Sequence, residues 1–333
     1  MQLRMKTLEK KYRLYMTAMA IITIIAISSS VGTYMYYQGK APNQALALVT
    51  LVDDTGYVFN LTSYPQRIVS LAPSNTQILF AVGAGDKVVG VTDYDNYPYN
   101  FSAWIAAGNM SSIGNYANPA IEPIVALKPD LVVAADMSLD AATKLRSLGY
   151  NVLTLDPKDL DGVLNDIILV GRATGNDVQA AAEVSNLSHR ITAVKNGVAN
   201  ATSIPKVYHE IWSEPLMSAG PGTFINSLIT LAGGQNIFEK ATTQYPTVSL
   251  EDVIEANPDI IIFPSQMGVA SFWGTYNDVA NRPGWSTISA VQNHRMYTIN
   301  GDIIDEPGPR LVDALEILAQ IIHPEIFGNY SGS

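Results

Sequence analysis

The chain contains no cysteine, which removes disulfides, thiolate metal sites and a lipid-modified N-terminal cysteine together. Charge is scarce as well: Asp, Glu, Lys and Arg make up 15% of the residues, against roughly 25% in average soluble proteins. A folded body with so little charge must present Asn, Ser, Thr, Gln and Tyr to water. Basic residues are the scarcer sign, 20 Lys and Arg against 30 Asp and Glu, and Arg4, Lys6, Lys10, Lys11 and Arg13 crowd the N-terminus. The remainder is anionic, which argues against a nucleic-acid partner. Histidine is limited to His189, His209, His294 and His323, none at ligand spacing, so neither a direct side-chain metal site nor a resident cofactor is expected. The Gly-x-Ser-x-Gly elbow, the P-loop and the Gly-x-Gly-x-x-Gly fingerprint are missing too, and the chain does not read as an enzyme. An exported hydrolase would rest on His209-Glu210 alone, a pair that is more often structural.

What the sequence does hold begins with an uncharged apolar run over 14–37. About 20 apolar residues cross a bilayer, whereas a cleavable signal core is about 7–15 long. The basic flank stays cytoplasmic, which places everything after Tyr37 outside. Tyr12 and Tyr15 on one side and Tyr34, Tyr36 and Tyr37 on the other fit interfacial aromatic belts. The expectation is a single-pass membrane anchor with an extracytoplasmic body; a long signal peptide cleaved near Ser28-Ser29-Ser30 is the alternative, and it exports the body equally. Asn-x-Ser/Thr sequons at Asn60, Asn100, Asn109, Asn186, Asn200 and Asn329 agree with an outside location.

A chain of 333 residues exceeds what one core comfortably fills, so two α/β lobes are expected. The division reads as 1–44 for flank, anchor and linker, 45–158 for an N-terminal lobe, 159–198 for a helical bridge and 199–333 for a C-terminal lobe. Alternation around Asp53-Asp54-Thr55-Gly56 predicts a β-hairpin over 45–61. Arg67-Ile68-Val69-Ser70-Leu71 reads as a buried strand, followed by Ala72-Pro73-Ser74-Asn75, whose Ser and Asn cap a helix over 76–82. Further strands are predicted at 88–91, 131–134, 152–155, 206–211, 260–263 and 296–299, separated by helical patterns, which is the signature of parallel βαβ units. From Leu160 to about Val194 an apolar periodicity runs without proline. It fits one bridging helix of about 50 Å, or two helices broken at Gly175-Asn176-Asp177.

An internal repeat carries most information. Ala120-Ile121-Glu122-Pro123-Ile124-Val125-Ala126-Leu127-Lys128-Pro129-Asp130-Leu131 aligns with Ser249-Leu250-Glu251-Asp252-Val253-Ile254-Glu255-Ala256-Asn257-Pro258-Asp259-Ile260 at an offset of 129. In each copy a short helix starts at the Glu, ends at the Pro and yields to a buried strand. A second pair, Leu79 to Gly85 and Leu228 to Gly234, aligns at an offset of 149, leaving a longer loop around 94–114 in the first half. Two copies of one unit make a two-lobed body with a pocket between the lobes. The offset of 129 also pairs Tyr116 with Tyr245, so that two rings on equivalent loops would flank a bulky ligand.

Arg67-Ile68-Val69-Ser70-Leu71-Ala72-Pro73-Ser74-Asn75-Thr76, Val89-Gly90-Val91-Thr92, Tyr97-Pro98, Ile113-Gly114 and Val125-Ala126-Leu127-Lys128-Pro129-Asp130-Leu131-Val132 form a set with Gly220-Pro221-Gly222-Thr223-Phe224, Gly233-Gly234-Gln235-Asn236-Ile237-Phe238 and Gly308-Pro309-Arg310. This set resembles the substrate-binding proteins of ABC importers for vitamin B12 and ferric siderophores. The resemblance implies two α/β lobes joined by one long helix, and as partners a permease dimer with its ATPase subunits. It implies cobalamin or another corrinoid as ligand, with a ferric siderophore or haem as alternatives, the ligand itself carrying cobalt or iron. Glu122 and Glu251 match two family glutamates, one on each lobe, that pair with permease arginines. Tyr116 and Tyr245 match positions of ligand-contacting aromatics, which are usually Trp. Tyr97 and Trp212 are further cleft candidates, and Arg310 either reaches an anionic ligand or caps the helix after it. A sensor ectodomain without an importer would not need the two glutamates.

Overall fold

The computed structural model describes residues 47–265 and 276–331. The expected anchor over 14–37 lies outside the described residues; among them no helix is long and apolar enough to cross a membrane.

The first elements are the expected hairpin, β1 (Val49–Val52) and β2 (Val58–Leu61). Its turn closes on Asp53, a buried carboxylate that accepts from the N–H groups of Thr55 and Tyr57 and from Thr55 Oγ1. Lobe 1 follows with β3 (Ile68–Ser70), β4 (Val88–Val91), β5 (Ser111–Ser112), β6 (Leu131–Ala135) and β7 (Val152–Leu155). These strands form a wholly parallel sheet in the order β5-β4-β3-β6-β7. Helices α1 (Pro73–Ala81), α2 (Phe101–Ala106), α3 (Ile121–Ala126) and α4 (Leu139–Ser147) make the crossovers. The apolar strands are buried because helices cover both faces of a parallel sheet. Helix α1 starts three residues earlier than expected. Pro73 occupies its first turn, the N-cap is Ala72, and Ser74 and Asn75 are buried inside the helix. Asn75 is spent on tertiary contact instead, its Nδ2 donating to Val133 O at 3.2 Å.

The single bridging helix expected over 159–198 is two helices, α5 (Leu160–Thr174) and α6 (Asp177–Val198), with the break at Gly175-Asn176-Asp177, as in the alternative reading. Gly175 ends α5 with φ of 76°, a left-handed cap that glycine adopts without Cβ strain. Gly171 lets α6 fold back closely, since a Cβ there would sit 2.4 Å from Ala180 Cβ. Helix α5 packs on α1 and β1 of lobe 1. The main bridge is α6, 22 residues and about 33 Å long, while α5 also reaches the helix over Phe224–Leu231 of lobe 2. It packs on α1 from lobe 1 and on α7 (Phe224–Leu231), α12 (Leu311–Ile322) and α13 (Pro324–Phe327) from lobe 2. One continuous apolar core runs from Ile68 and Leu79 through Val170, Leu187 and Val194 to Leu315 and Ile322, so the lobes share a packed seam.

Lobe 2 contains β8 (Lys206–Ser213), β9 (Leu216–Ser218), β10 (Gln235–Asn236), β11 (Ile260–Ser265) and β12 (Met296–Asn300). Its other helices are α8 (Leu250–Ala256), α9 (Tyr276–Ala280), α10 (Ser289–Gln292) and α11 (Gly301–Ile304). The parallel order β10-β8-β11-β12 repeats β4-β3-β6-β7 strand for strand, with β9 added antiparallel on β8. The structure also explains the Pro-Asp signal. Asp130 accepts from Arg67 N at 2.9 Å and Asp259 from Lys206 N at 2.8 Å, so each tethers the start of its lobe's first strand. The same basic residues reach the carbonyls of Leu127 and Ala256 at the ends of α3 and α8. Lys128 and Asn257 are both left-handed, at φ of 50° and 47°. One register changes: Gly83 and Gly233 are structural equivalents, each at φ of 83° after a matching helix end, which makes the second offset 150 and not 149.

Candidate functional site

Parallel sheets present their functional loops at the carboxyl ends of the strands. In lobe 1 those loops carry Tyr94 and Asp95 after β4, Asp136 after β6 and Asp156 after β7; in lobe 2, Asp302, Asp305 and Glu306 follow β12. The two sets face each other. Gln77 Nε2 on α1 donates to Glu306 Oε2 at 2.6 Å, and Asn96 Nδ2 donates to Asp302 Oδ2 at 2.8 Å. The Arg310 guanidinium lies 4.4 Å above the Tyr97 ring, a third link between lobes.

Tyr116 is half-buried and meets Tyr94 edge-on, with centroids 5.1 Å apart and planes at 83°. Burial raises its phenol, and Tyr94 and then Glu306 of the opposite lobe add to the shift. Tyr245, 44% exposed, is pushed up to about 12 by burial first and then by Asp136, Asp305 and Asp156. Glu306 of lobe 2 thus acts on Tyr116, and Asp136 and Asp156 of lobe 1 act on Tyr245, so each tyrosine lies on the side of its lobe that faces the other. Both phenols stay protonated at neutral pH and are neutral donors with apolar faces.

The floor is acidic. Burial, reinforced by Asp302, Asp95 and Asp305 and opposed by Arg310, pushes Glu306 up to about 8. Burial also raises Asp95, against hydrogen bonds from Thr76 and Thr92; Thr92 donates through N at 2.8 Å and Oγ1 at 2.6 Å. His209 Nε2 contacts Asp305 Oδ1 at 3.1 Å. Glu210, its chain neighbour, points elsewhere and takes a bidentate ion pair from Arg282 at 2.6 and 2.8 Å. Gln77 Oε1, Asp95 Oδ1, His209 Nδ1 and Asp305 Oδ2 are buried with no hydrogen-bond partner among the described residues. Among those residues, no three His, Asp or Glu side chains converge as a metal site.

Two of the other anticipated residues adjoin this gap. Tyr97 and Arg310 line a hollow of about 380 Å³ together with Phe80, Tyr99, Leu187 and Arg190. Gln77 lines it too, so hollow and tyrosine-walled gap meet at the Gln77 to Glu306 contact. Trp212 sits on β8, 37% exposed, with Nε1 donating to Glu214 O at 2.9 Å. Glu122 and Glu251 are exposed in the first turns of α3 and α8, equivalent places on the two lobes. Sequence reasoning missed Gln77, Tyr94, Asp95, Asp136 and Asp156. The available signal was position, since all but Gln77 follow a predicted strand on its carboxyl side.

Two duplicated lobes closing on an aromatic and acidic gap define a two-lobed ligand-binding protein. The chain belongs to the periplasmic binding protein family, whose description matches residues 68–303. It is 32% identical to the uncharacterised ABC transporter substrate-binding lipoprotein YvrC of Bacillus subtilis, over 84% of this chain and 87% of that one. It is 31% identical to the cobalamin-binding protein of Halobacterium salinarum, covering 83% of this chain and 74% of the relative. Among solved structures, the periplasmic vitamin B12-binding protein of Vibrio cholerae superposes with a TM-score of 0.66 at 28% identity, covering 78% of this chain and 96% of that one.

Proposed function

We propose that this protein is the extracytoplasmic substrate-binding component of an ABC importer and that its cargo is cobalamin or another corrinoid. The observation that carries the ligand is the charge of the gap. Asp136, Asp305 and Asp156 act on Tyr245 and Glu306 acts on Tyr116, with Asp302 and Asp95 beside Glu306 and Arg310 as the cation opposing them. A haem brings carboxylates, which such a floor repels. A corrinoid brings a rim of neutral amides, whose N–H groups suit carboxyl and amide acceptors, and a broad face that fits aromatic walls. The kinship with cobalamin-binding and vitamin B12-binding proteins supports the same reading.

Glu122 and Glu251, exposed at matching positions, suit a two-fold permease partner carrying basic residues. The N-terminal apolar run serves as the membrane anchor in this reading, because no cysteine is present to carry a lipid. Titrating the purified full-length chain with cyanocobalamin, haemin and ferrichrome, with tyrosine fluorescence as readout, tests the cargo. Saturable quenching by cyanocobalamin alone is expected; saturation by haemin or ferrichrome without cyanocobalamin binding overturns the corrinoid reading.

A further inference from the structure

Glu306 and Gln77 are separated by 229 positions in sequence and joined by a 2.6 Å hydrogen bond across the lobes. The contact is incomplete as drawn by heavy atoms alone. Gln77 is 3% exposed, and its Oε1 is an acceptor shut away from water with no donor among the described residues. Leaving such an atom unsatisfied costs about 1–3 kcal/mol. The Glu306 carboxyl beside it supplies a donor if it holds a proton: the amide N–H then bonds one carboxyl oxygen while the acid O–H serves the amide oxygen. We propose that Glu306 is a positioning residue of the ligand gap, clasping Gln77 through a shared proton and so fixing the separation of the walls that carry Tyr116 and Tyr245.

The surroundings favour the proton. Burial first, then the like charge of Asp302, Asp95 and Asp305, opposed by Arg310, pushes the Glu306 carboxyl up to about 8. Tyr116 from lobe 1 lies in the same field and stays neutral. Asn96 to Asp302 at 2.8 Å is the neighbouring link and involves no such orphan atom. In a parted state Glu306 meets water and titrates near its ordinary 4.5. The clasped pKa is the higher one, so the clasp is at full strength below about pH 4.5. It weakens as pH climbs towards about 8 and changes no further above that. Once ionised, Glu306 keeps the Gln77 N–H but leaves Gln77 Oε1 unserved and adds a charge among three acids.

This inference concerns the wall spacing and rests on the binding-protein reading only for the ligand. Two measurements therefore run in parallel on the full-length chain, on the natural side chains and on Glu306→Gln, Glu306→Ala and Gln77→Ala. The first is the affinity for cyanocobalamin between pH 4.5 and 9. The second is the distance between spin labels on Leu148→Cys in lobe 1 and Ile204→Cys in lobe 2, both exposed positions in a chain otherwise free of cysteine. With Glu306 present, affinity should fall roughly tenfold towards pH 8, the equivalent of one lost buried hydrogen bond, and the distance distribution should broaden. Glu306→Gln should abolish both slopes, whereas Glu306→Ala and Gln77→Ala should show the broad distribution at every pH. A distribution indifferent to pH, or a slope that survives in Glu306→Gln, overturns the clasp. Absence of cyanocobalamin binding at any pH counts against the corrinoid cargo, and the distances then decide the clasp alone.

Discussion

The Arg146 guanidinium lies 4.0 Å above the Tyr57 ring while the same group pairs with Asp53, the carboxylate that closes the first hairpin. Asp53 also accepts from Thr154 N at 3.0 Å, so the hairpin is locked to the edge strand of lobe 1 by a fully buried carboxylate whose Arg146 partner is 14% exposed. Removing one partner of a buried pair strands the other, at about 3–5 kcal/mol. Asp53→Ala should therefore lower the unfolding free energy by that amount in urea titrations. A loss below 1 kcal/mol would mean the pair is solvated in solution.

Gly175 makes α5 and α6 separate helices. Alanine there must take a left-handed conformation, costing about 1–2 kcal/mol, and its Cβ would meet the Tyr64 ring at 2.9 Å. Gly175→Ala should lower the melting temperature without raising helix content by circular dichroism. A gain in both would show that the break is optional.

Tyr116 and Tyr245 are argued to work through their faces. Replacing either with Ala should weaken cyanocobalamin binding by roughly tenfold or more, while Phe should keep most of the affinity. Equal losses for Phe and Ala would assign the work to the hydroxyls instead.

Glu122 and Glu251 are exposed and remote from the acids of the gap in sequence. Charge reversal at both should abolish uptake in cells while leaving affinity for the ligand intact. Unchanged uptake would remove the docking role and favour a sensor ectodomain.

Asp166 is buried on α5. Burial, with Asp54 and then Asp156 adding like charge, pushes it up to about 9. Its folded value exceeds the unfolded one, so its contribution is complete below about pH 4 and drains away as pH climbs to about 9. The protein should melt at progressively lower temperature across that range. Asp166→Asn should flatten the profile, and a profile of unaltered slope would place the acid sensitivity elsewhere.

Much of the fold was legible because it depends on local patterning. Strand β4 falls on its predicted residues, and the repeat at offset 129 leads directly to α3 and α8 and to the tether made by each Pro-Asp. The helix break was less legible, since absence of proline does not reveal that Gly175 adopts a left-handed cap. Ser74 and Asn75 misled for a related reason: they have the chemistry of caps, yet Pro73 had already started the helix. At the site, Tyr116 and Tyr245 could be picked out because duplication matched them, whereas Gln77 could not, because nothing local ties it to Glu306.

By itself, the sequence determined the duplicated βαβ unit, its anionic balance and the paired surface positions, since helix stops, buried strands and charge balance act over a few residues or a simple sum. Only the tertiary structure decided that strand ends from the two copies oppose each other. Packing α6 against both lobes brings carboxyls distant in sequence into one poorly hydrated space. Their mutual repulsion and burial, which set the chemistry of the gap, exist only once those groups are neighbours.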